Sequence, residues 1–331
     1  LCSTLLLLRA WGRADAKAFG WFESPDGSAI ESAERVLAML GATDRASGSI
    51  TEHGRLMLSL PVHPRLARLL VTAREQNLLH EGATLAAILS EKDFLLRSRG
   101  DRNSIGRKNW QADSDAAIRC TLLEDAERSN FAGYLRDENI DPAQARQVAR
   151  TRDELLRIAE RLEKTMLPRQ RPAPVRADGI GILPLLAYPD RVARRRASDP
   201  SAGVMVGGGG VRLADESVVR QGELFVVLDG RHDPRGGSRE LLVQIASRVE
   251  WEWLEELFPQ FIHTGHEAIY DAEADRVIGS RITKYLDLTI REDRDERVAP
   301  ELAEKTLRAA LADSRWRLRA AAVEAAGKAE V

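Results

Sequence analysis

Arg191, Arg194, Arg195 and Arg196 sit in the stretch LAYPDRVARRR, Leu186 to Arg196. Guanidinium groups are planar, permanently charged and forked, so they match phosphate oxygens two at a time. Four of them behind an apolar lead-in, with Leu186 and Val192 turned inward as anchors and the arginines outside, could hold a nucleic-acid backbone without reading bases. The same cluster also fits a solvated helix end, because cations favour a helix C-terminus. Charge by itself leaves both readings open.

Other candidate chemistry is thinner. Gly100 to Lys108, GDRNSIGRK, places five residues between its glycines and then Arg107-Lys108-Asn109. A phosphate loop needs four residues there, followed by Lys and Ser or Thr, between a strand and a helix. The segment is read as a basic loop, not a nucleotide site. Gly207–Gly210 is followed by a strand, so it lacks the helix N-terminus that would bind phosphate and reads as a hairpin tip. His263 and His266 flank Thr264-Gly265 at i and i+3 in strand-like sequence. Helical zinc motifs use i and i+4, and no second pair completes a site, so no metal is expected. At His63-Pro64-Arg65 the proline opens a helix that His63 caps or packs against. No serine, histidine and carboxylate grouping has a spacing that argues for self-contained catalysis.

The elements that position these residues follow from composition and period. A chain of 331 residues exceeds one compact core and implies two or three domains. With 44% apolar and 30% charged residues it is globular with strongly solvated surfaces. Net charge is only −2, so any pull on nucleic acid must come from local patches. Cys2 and Cys120 cannot build a disulfide framework or a metal knuckle, which fits a reducing cytosol. The apolar run Leu5–Leu8 is too short for a signal peptide, and no later run reaches membrane length. The first residue is Leu, and the expectation is a piece of a larger cytoplasmic protein with no membrane partner.

Residues 1–61 carry helical spacing over Ser28–Leu40. A Ser47-Gly48 turn follows, then a second short helix capped by Thr51 and ended by Pro61, an arrangement expected to form a winged-helix unit. Residues 62–167 show apolar stripes at Leu66, Leu69, Leu70 and Ala73 and at Leu85, Ile88 and Leu89, with further stretches at Ala116–Arg128 and Pro142–Leu162. This predicts a helical bundle interrupted by a charged loop from Arg97 to Asp115. The proline-rich stretch 168–179 reads as a linker. Residues 180–292 switch to short strands split by Gly, Asp and Pro turns, as in an OB-type small β-barrel. Residues 293–331 return to a partial helical segment. The expected class is α+β multidomain.

Several phrases together resemble one family. Leu40 to Leu70, LGATDRASGSITEHGRLMLSLPVHPRLARLL, is similar to the region after the motor domains of DEAH-box helicases, with its "LT-x-x-G" and "LP-x-x-P-x-L" patterns. The histidine of PVHPRLAR, the run LAYPDRVARRR and the strand phrase GELFVVLDGR narrow the resemblance to HrpB-type bacterial ATP-dependent helicases. The opening AWGRADAKAFGWFESPDGSAIESAERVLAMLGA resembles the stretch just past the second motor domain. The phosphate loop, the Asp-Glu-Ala-His box and the arginine-finger motif of that family have no counterpart in this chain.

The resemblance therefore implies an accessory half: winged helix, ratchet-like bundle, OB-type barrel and part of a C-terminal tail. Such modules form one wall of a channel for single-stranded RNA or DNA and work with helicase motor domains in cis or in trans. ATP and magnesium would belong to those motor domains, so this chain is expected to hold no cofactor and to be inactive alone. Arg191, Arg194, Arg195, Arg196, His63 and Arg65 are its candidate nucleic-acid contacts. The alternative is a protein-interaction scaffold built from the same modules with no nucleic-acid role.

Overall fold

A computed structural model describes residues 1–13, 15–96, 112–165, 179–232, 240–271, 276–295 and 298–312. The glycine-flanked basic loop at 100–108 and almost all of the expected linker 168–179 lie outside the described residues. The chain divides into two compact units, Leu1–Trp253 and Leu254–Val331.

The first unit opens with α1 (Cys2–Ala10), α2 (Gly27–Met39) and α3 (Glu52–Leu58). The apolar run that is too short for a leader is an ordinary core contributor, with Leu5, Leu6 and Leu8 of α1 buried. Ile30, Ala33 and Leu37 recur at helical spacing and form the buried stripe of α2. Thr51 caps α3 by accepting from the Gly54 N–H at 2.9 Å, and its hydroxyl donates to the Gly41 carbonyl at 2.6 Å. A Cβ at Gly54 would overlap the Ala42 carbonyl, so only glycine lets α3 settle on this turn. Gly54→Ala is expected to cost about 1–3 kcal/mol through forced overpacking. Chemical denaturation checks it, and an unchanged midpoint would show that the turn yields freely.

The bundle comprises α4 (Pro64–Glu75), α5 (Leu79–Ser90), α6 (Asp115–Arg128) and α7 (Pro142–Thr165). The predicted stripe at Leu66, Leu69, Leu70 and Ala73 is buried, as are Leu85 and Ile88, while Leu89 is only half-buried. Ala87, Ile88, Phe94, Leu123, Ala126, Leu135, Ile140, Ala145, Val148 and Ala149 form one apolar cluster. α8 (Gly179–Ala187) then leads into a short 3-10 turn at Pro189–Arg191.

The barrel contains β1 (Val192–Arg196), β2 (Asp199–Met205), β3 (Gly210–Leu213), β4 (Leu224–His232) and β5 (Leu241–Val249). They close in the order β1-β2-β3-β5-β4, with β3 and β5 parallel and the other pairings antiparallel. Its interior holds Ala193, Val211, Leu213, Val219, Phe225, Val227, Val243 and Ala246. Gly207 and Gly208 take positive φ, 86° and 77°, at the tip between β2 and β3, as expected for a hairpin.

The second unit differs from a simple continuation of that barrel. After α9 (Trp251–Leu257), which begins just before it, come β6 (Ile262–Asp271), β7 (Arg276–Tyr285) and β8 (Leu288–Asp295). These form their own antiparallel sheet in the order β6-β7-β8, followed by α10 (Pro300–Ala312). Phe258, Phe261 and Tyr285 pack together with ring centroids 5.8–6.3 Å apart. Period alone cannot tell which strands share a sheet, so one β region in the sequence became two. No described helix is long and apolar enough to cross a membrane.

Candidate nucleic-acid interface

The arginine run is not a helix end. Arg194, Arg195 and Arg196 lie on β1, and the two-residue strand period separates them. Arg195 shares a face with Ala193, which belongs to the barrel core. Its ring contact is Phe225, with the guanidinium carbon 5.3 Å from the centroid. It donates to the carbonyls of Gly222 (2.8 Å), Gln221 (3.1 Å) and Val219 (3.2 Å), and also to that of Pro200. Arg195 therefore ties the end of the barrel shut instead of standing outside with the rest of the cluster.

Arg194 and Arg196 take the opposite, outer face. Arg194 pairs with Glu223 at 2.8 Å. Arg196 pairs with Glu240 at 2.7 Å, and Arg212 spans Glu240 (3.1 Å) and Asp199 (2.8 Å) beside it. Asp199 also accepts from Ser201, and its carboxyl is pulled down to about 2. Both outer arginines keep about two fifths of their side-chain surface in solvent, 39% and 40%. Exposed pairs of this kind are worth little and exchange readily for another anion.

The remaining three candidates meet elsewhere, where the bundle joins the barrel. Arg65, one residue into α4, is only 8% exposed and makes a two-pronged pair with Asp190, 2.6 and 2.7 Å. A third donation reaches the Ala187 carbonyl at 3.1 Å. Tyr188 lies between two cations, with Arg65 5.0 Å and Arg191 5.2 Å from its ring centroid. Asp190 is held below the usual carboxylate range by Arg65, against the upward push of burial. Arg65 thus spends its charge within the protein.

Arg191 does not. Among the described residues its guanidinium makes no hydrogen bond or ion pair, only the ring contact. Burial and the neighbouring Arg65 push its ionisation below the usual arginine range, which still leaves it charged at neutral pH. His63 caps α4, its Nδ1 accepting from the Arg65 N–H at 3.3 Å. That bond places the ring proton on Nε2. Burial, then the charges of Arg65 and Arg191, lower the His63 ionisation, so the ring is neutral at pH 7 and can donate from Nε2. The result is one uncommitted cation and one neutral donor beside a helix N-terminus, a combination suited to an anion.

Sequence patterning passes over three residues that join the bundle to the barrel. Tyr188 supplies the stacking platform and Asp190 neutralises Arg65; the acid interrupting a basic run was the available signal. The third, Asp115, carries no motif at all. Its carboxylate is 3% exposed and accepts from Ser217 Oγ (2.8 Å), Val218 N (2.7 Å) and Ala246 N (3.0 Å) of the barrel. His263 and His266, where the spacing argues against a metal site, are exposed on β6.

Residues 63–148 match the family model described as a helicase associated domain (HA2), ratchet-like. ATP-dependent RNA helicase HrpB of Escherichia coli (strain K12) is 24% identical over 276 residues, 82% of this chain and 27% of that protein. ATP-dependent RNA helicase HrpA of the same strain is 36% identical over 97 residues, 28% of this chain and 8% of that protein. A crystal structure of the E. coli DExH-box NTPase HrpB superposes with a TM-score of 0.61 at 20% identity, covering 92% of this chain and 32% of that one. The chain thus spans about a third or less of each of these proteins. It carries a ratchet-like helicase-associated domain and is similar to the C-terminal accessory region of HrpB-type DEAH-box helicases.

Proposed function

We propose that this chain is the nucleic-acid-binding accessory region of an ATP-dependent RNA helicase, holding a single strand while motor domains hydrolyse ATP. The observation that carries this reading is the continuity of the likeness to HrpB, a protein named as an ATP-dependent RNA helicase, over 82% of the chain. Within it we read α1–α3 and the Thr43–Ile50 bridge as a winged-helix unit. We read the barrel as OB-type; its strand order and the parallel β3–β5 pairing favour that assignment. ATP and magnesium belong to the motor domains in this reading, and the strand contacts belong to the accessory region.

Among the six candidate contacts, Arg191 and His63 are best placed to take a phosphate, while Arg194 and Arg196 are paired with Glu223 and Glu240. Arg65 and Arg195 act by holding the junction and the barrel end in shape. Arg191→Gln is expected to weaken single-stranded RNA binding about fivefold across sequences and to lower the slope of log K against log salt by about 0.7. Its thermal transition should stay close to that of the parent, because the residue makes no internal ion pair. Fluorescence anisotropy over a salt series measures both quantities. RNA binding that ignores salt would count against backbone recognition, and an unchanged slope in the variant would remove Arg191 from the site.

A further inference from the structure

Three residues past Arg65, α4 presents another guanidinium, and this one has no counterpart. Arg68 is half-buried, yet among the described residues it makes no hydrogen bond, ion pair or ring contact. Its Nη1 lies 4.0 Å from where a Cβ on Gly41 would stand, so the head reaches the turn between α2 and α3. Two carbonyls of that turn, Gly41 and Ala42, already accept from Thr51. No acid stands within a helical turn of Arg68, because the positions three and four away hold Pro64, Arg65, Val71 and Thr72. Glu75, about two turns on, is held by His53 Nε2 at 3.0 Å. Burial pushes the Arg68 ionisation below the usual arginine range against the pull of Glu75, and the group stays charged at neutral pH.

Thr72, one turn along the same face, repeats the pattern. Its hydroxyl is buried without a partner, although a helical threonine can donate to the carbonyl four residues back, here that of Arg68 itself. The face thus carries a permanent cation and a donor, both unanswered. Elsewhere the chain answers such groups. Each of the three arginines buried among the described residues grips one carboxylate with two N–H groups. Arg65 holds Asp190 (2.6 and 2.7 Å), Arg119 holds Asp93 (2.7 and 3.3 Å) and Arg152 holds Glu127 (2.6 and 2.7 Å). A charge withdrawn from water without such a partner lowers stability.

We infer that Arg68 is a docking point for a protein partner, whose aspartate or glutamate side chain enters beside the α2–α3 turn and completes a two-pronged ion pair. All three internal precedents are carboxylates, which favours that anion over a strand phosphate. The guanidinium is also recessed, whereas a phosphodiester backbone follows an open positive groove. The turn lies just past the negative end of the α2 dipole, which opposes a run of phosphates more than a single carboxylate. The inference goes beyond the strand reading above and does not depend on it.

The test uses the whole chain as parent and as Arg68→Met. Methionine keeps an unbranched stem and drops the charge, so relief of an unpaired cation should raise the thermal midpoint by about 2–4 °C. Acetate, the head group of an aspartate side chain, is the probe, titrated against chloride at equal ionic strength. At a concentration equal to its dissociation constant it should raise the parent midpoint by about 1–2 °C and leave Arg68→Met unmoved. An equal or lower midpoint for Arg68→Met would make the residue structural, and an acetate shift shared by both proteins would place the anion elsewhere; either result overturns the inference. Fluorescein-labelled oligouridylate tests the strand reading on the same pair of proteins. Equal RNA affinity in the two, or none in either, leaves Arg68 to the carboxylate. Weaker RNA binding by Arg68→Met would assign the site to a phosphate and overturn it.

Discussion

Asp115→Ala is expected to destabilise the first unit by about 3–5 kcal/mol. Asp115 opens α6, so its charge already complements the positive end of that helix. Its greater role is outside the helix. Both carboxylate oxygens accept from the barrel: Oδ1 from the Val218 N–H, and Oδ2 from the Ala246 N–H and the Ser217 hydroxyl. Removing it leaves two backbone donors and a hydroxyl buried without an acceptor, each costing about 1–3 kcal/mol.

The adjacent contacts cannot compensate. Ser114 and Ser247 share a hydroxyl bond of 2.6 Å, and the Arg248 N–H donates to the Asp113 carbonyl at 2.7 Å. Both bonds depend on α6 approaching β5 closely. Asp115→Asn keeps one acceptor oxygen and should fall between parent and Ala. Urea denaturation followed by tryptophan fluorescence reads the difference, and heating should show a midpoint lower by roughly 5–15 °C for Ala. A shift below about 1 kcal/mol would mean that this carboxylate is not the joint between bundle and barrel.

Arg65→Ala should cost about 2–4 kcal/mol. The figure is set below the full cost of orphaning a buried charge because the Asp190 side chain keeps 25% of its surface in solvent. Arg65→Lys should recover little, since one ammonium cannot span both Asp190 oxygens, stack on Tyr188 and reach the Ala187 carbonyl together. In the double variant with Asp190→Ala, the loss should be smaller than the sum of the two single losses, because neither charge is then left alone.

The pair also fixes a pH dependence. Asp190 ionises below its ordinary range when folded, so its stabilising contribution is present above that range and is lost as pH falls through it. Parent stability should therefore drop on acidification below the ordinary aspartate range, and the Arg65→Ala variant should show a shallower drop over the same interval. Equal slopes for the two proteins would disprove the linkage. Neither variant removes Arg191, so any accompanying loss of RNA binding would report the disordered junction and not a missing phosphate contact.

Much of the helical half could be read directly from residue order. The stripes at Leu66, Leu69, Leu70 and Ala73 and at Leu85 and Ile88 repeat with the helix period, and a helix must bury such a stripe wherever the chain places it. Thr51, Gly54 and Pro64 act within a turn or two of themselves, so their roles as cap, close-approach site and helix opener are local too. The hairpin tip at Gly207-Gly208 belongs to the same class.

The arginine run shows where local reading stops. Its composition marked a cationic site and its apolar neighbours were placed correctly, with Val192 fully buried and Leu186 nearly so. Yet composition groups Arg194, Arg195 and Arg196 as one surface, whereas strand alternation sends Arg195 under the barrel end and its neighbours outward. The partition of the later strands into a closed barrel and a separate sheet was equally hidden, because backbone pairing carries no residue signature.

Sequence by itself determined the types and periods of the elements, the positions of the caps and turns, and the resemblance to an accessory helicase region without a phosphate loop. Only the tertiary structure decided which cations remain available. Arg65 and Asp190 lie 125 positions apart, and Asp115 and Ala246 lie 131 apart. A charge is spent or spare according to what the fold brings within about 3 Å of it, and partners that distant leave no trace in the spacing of residues.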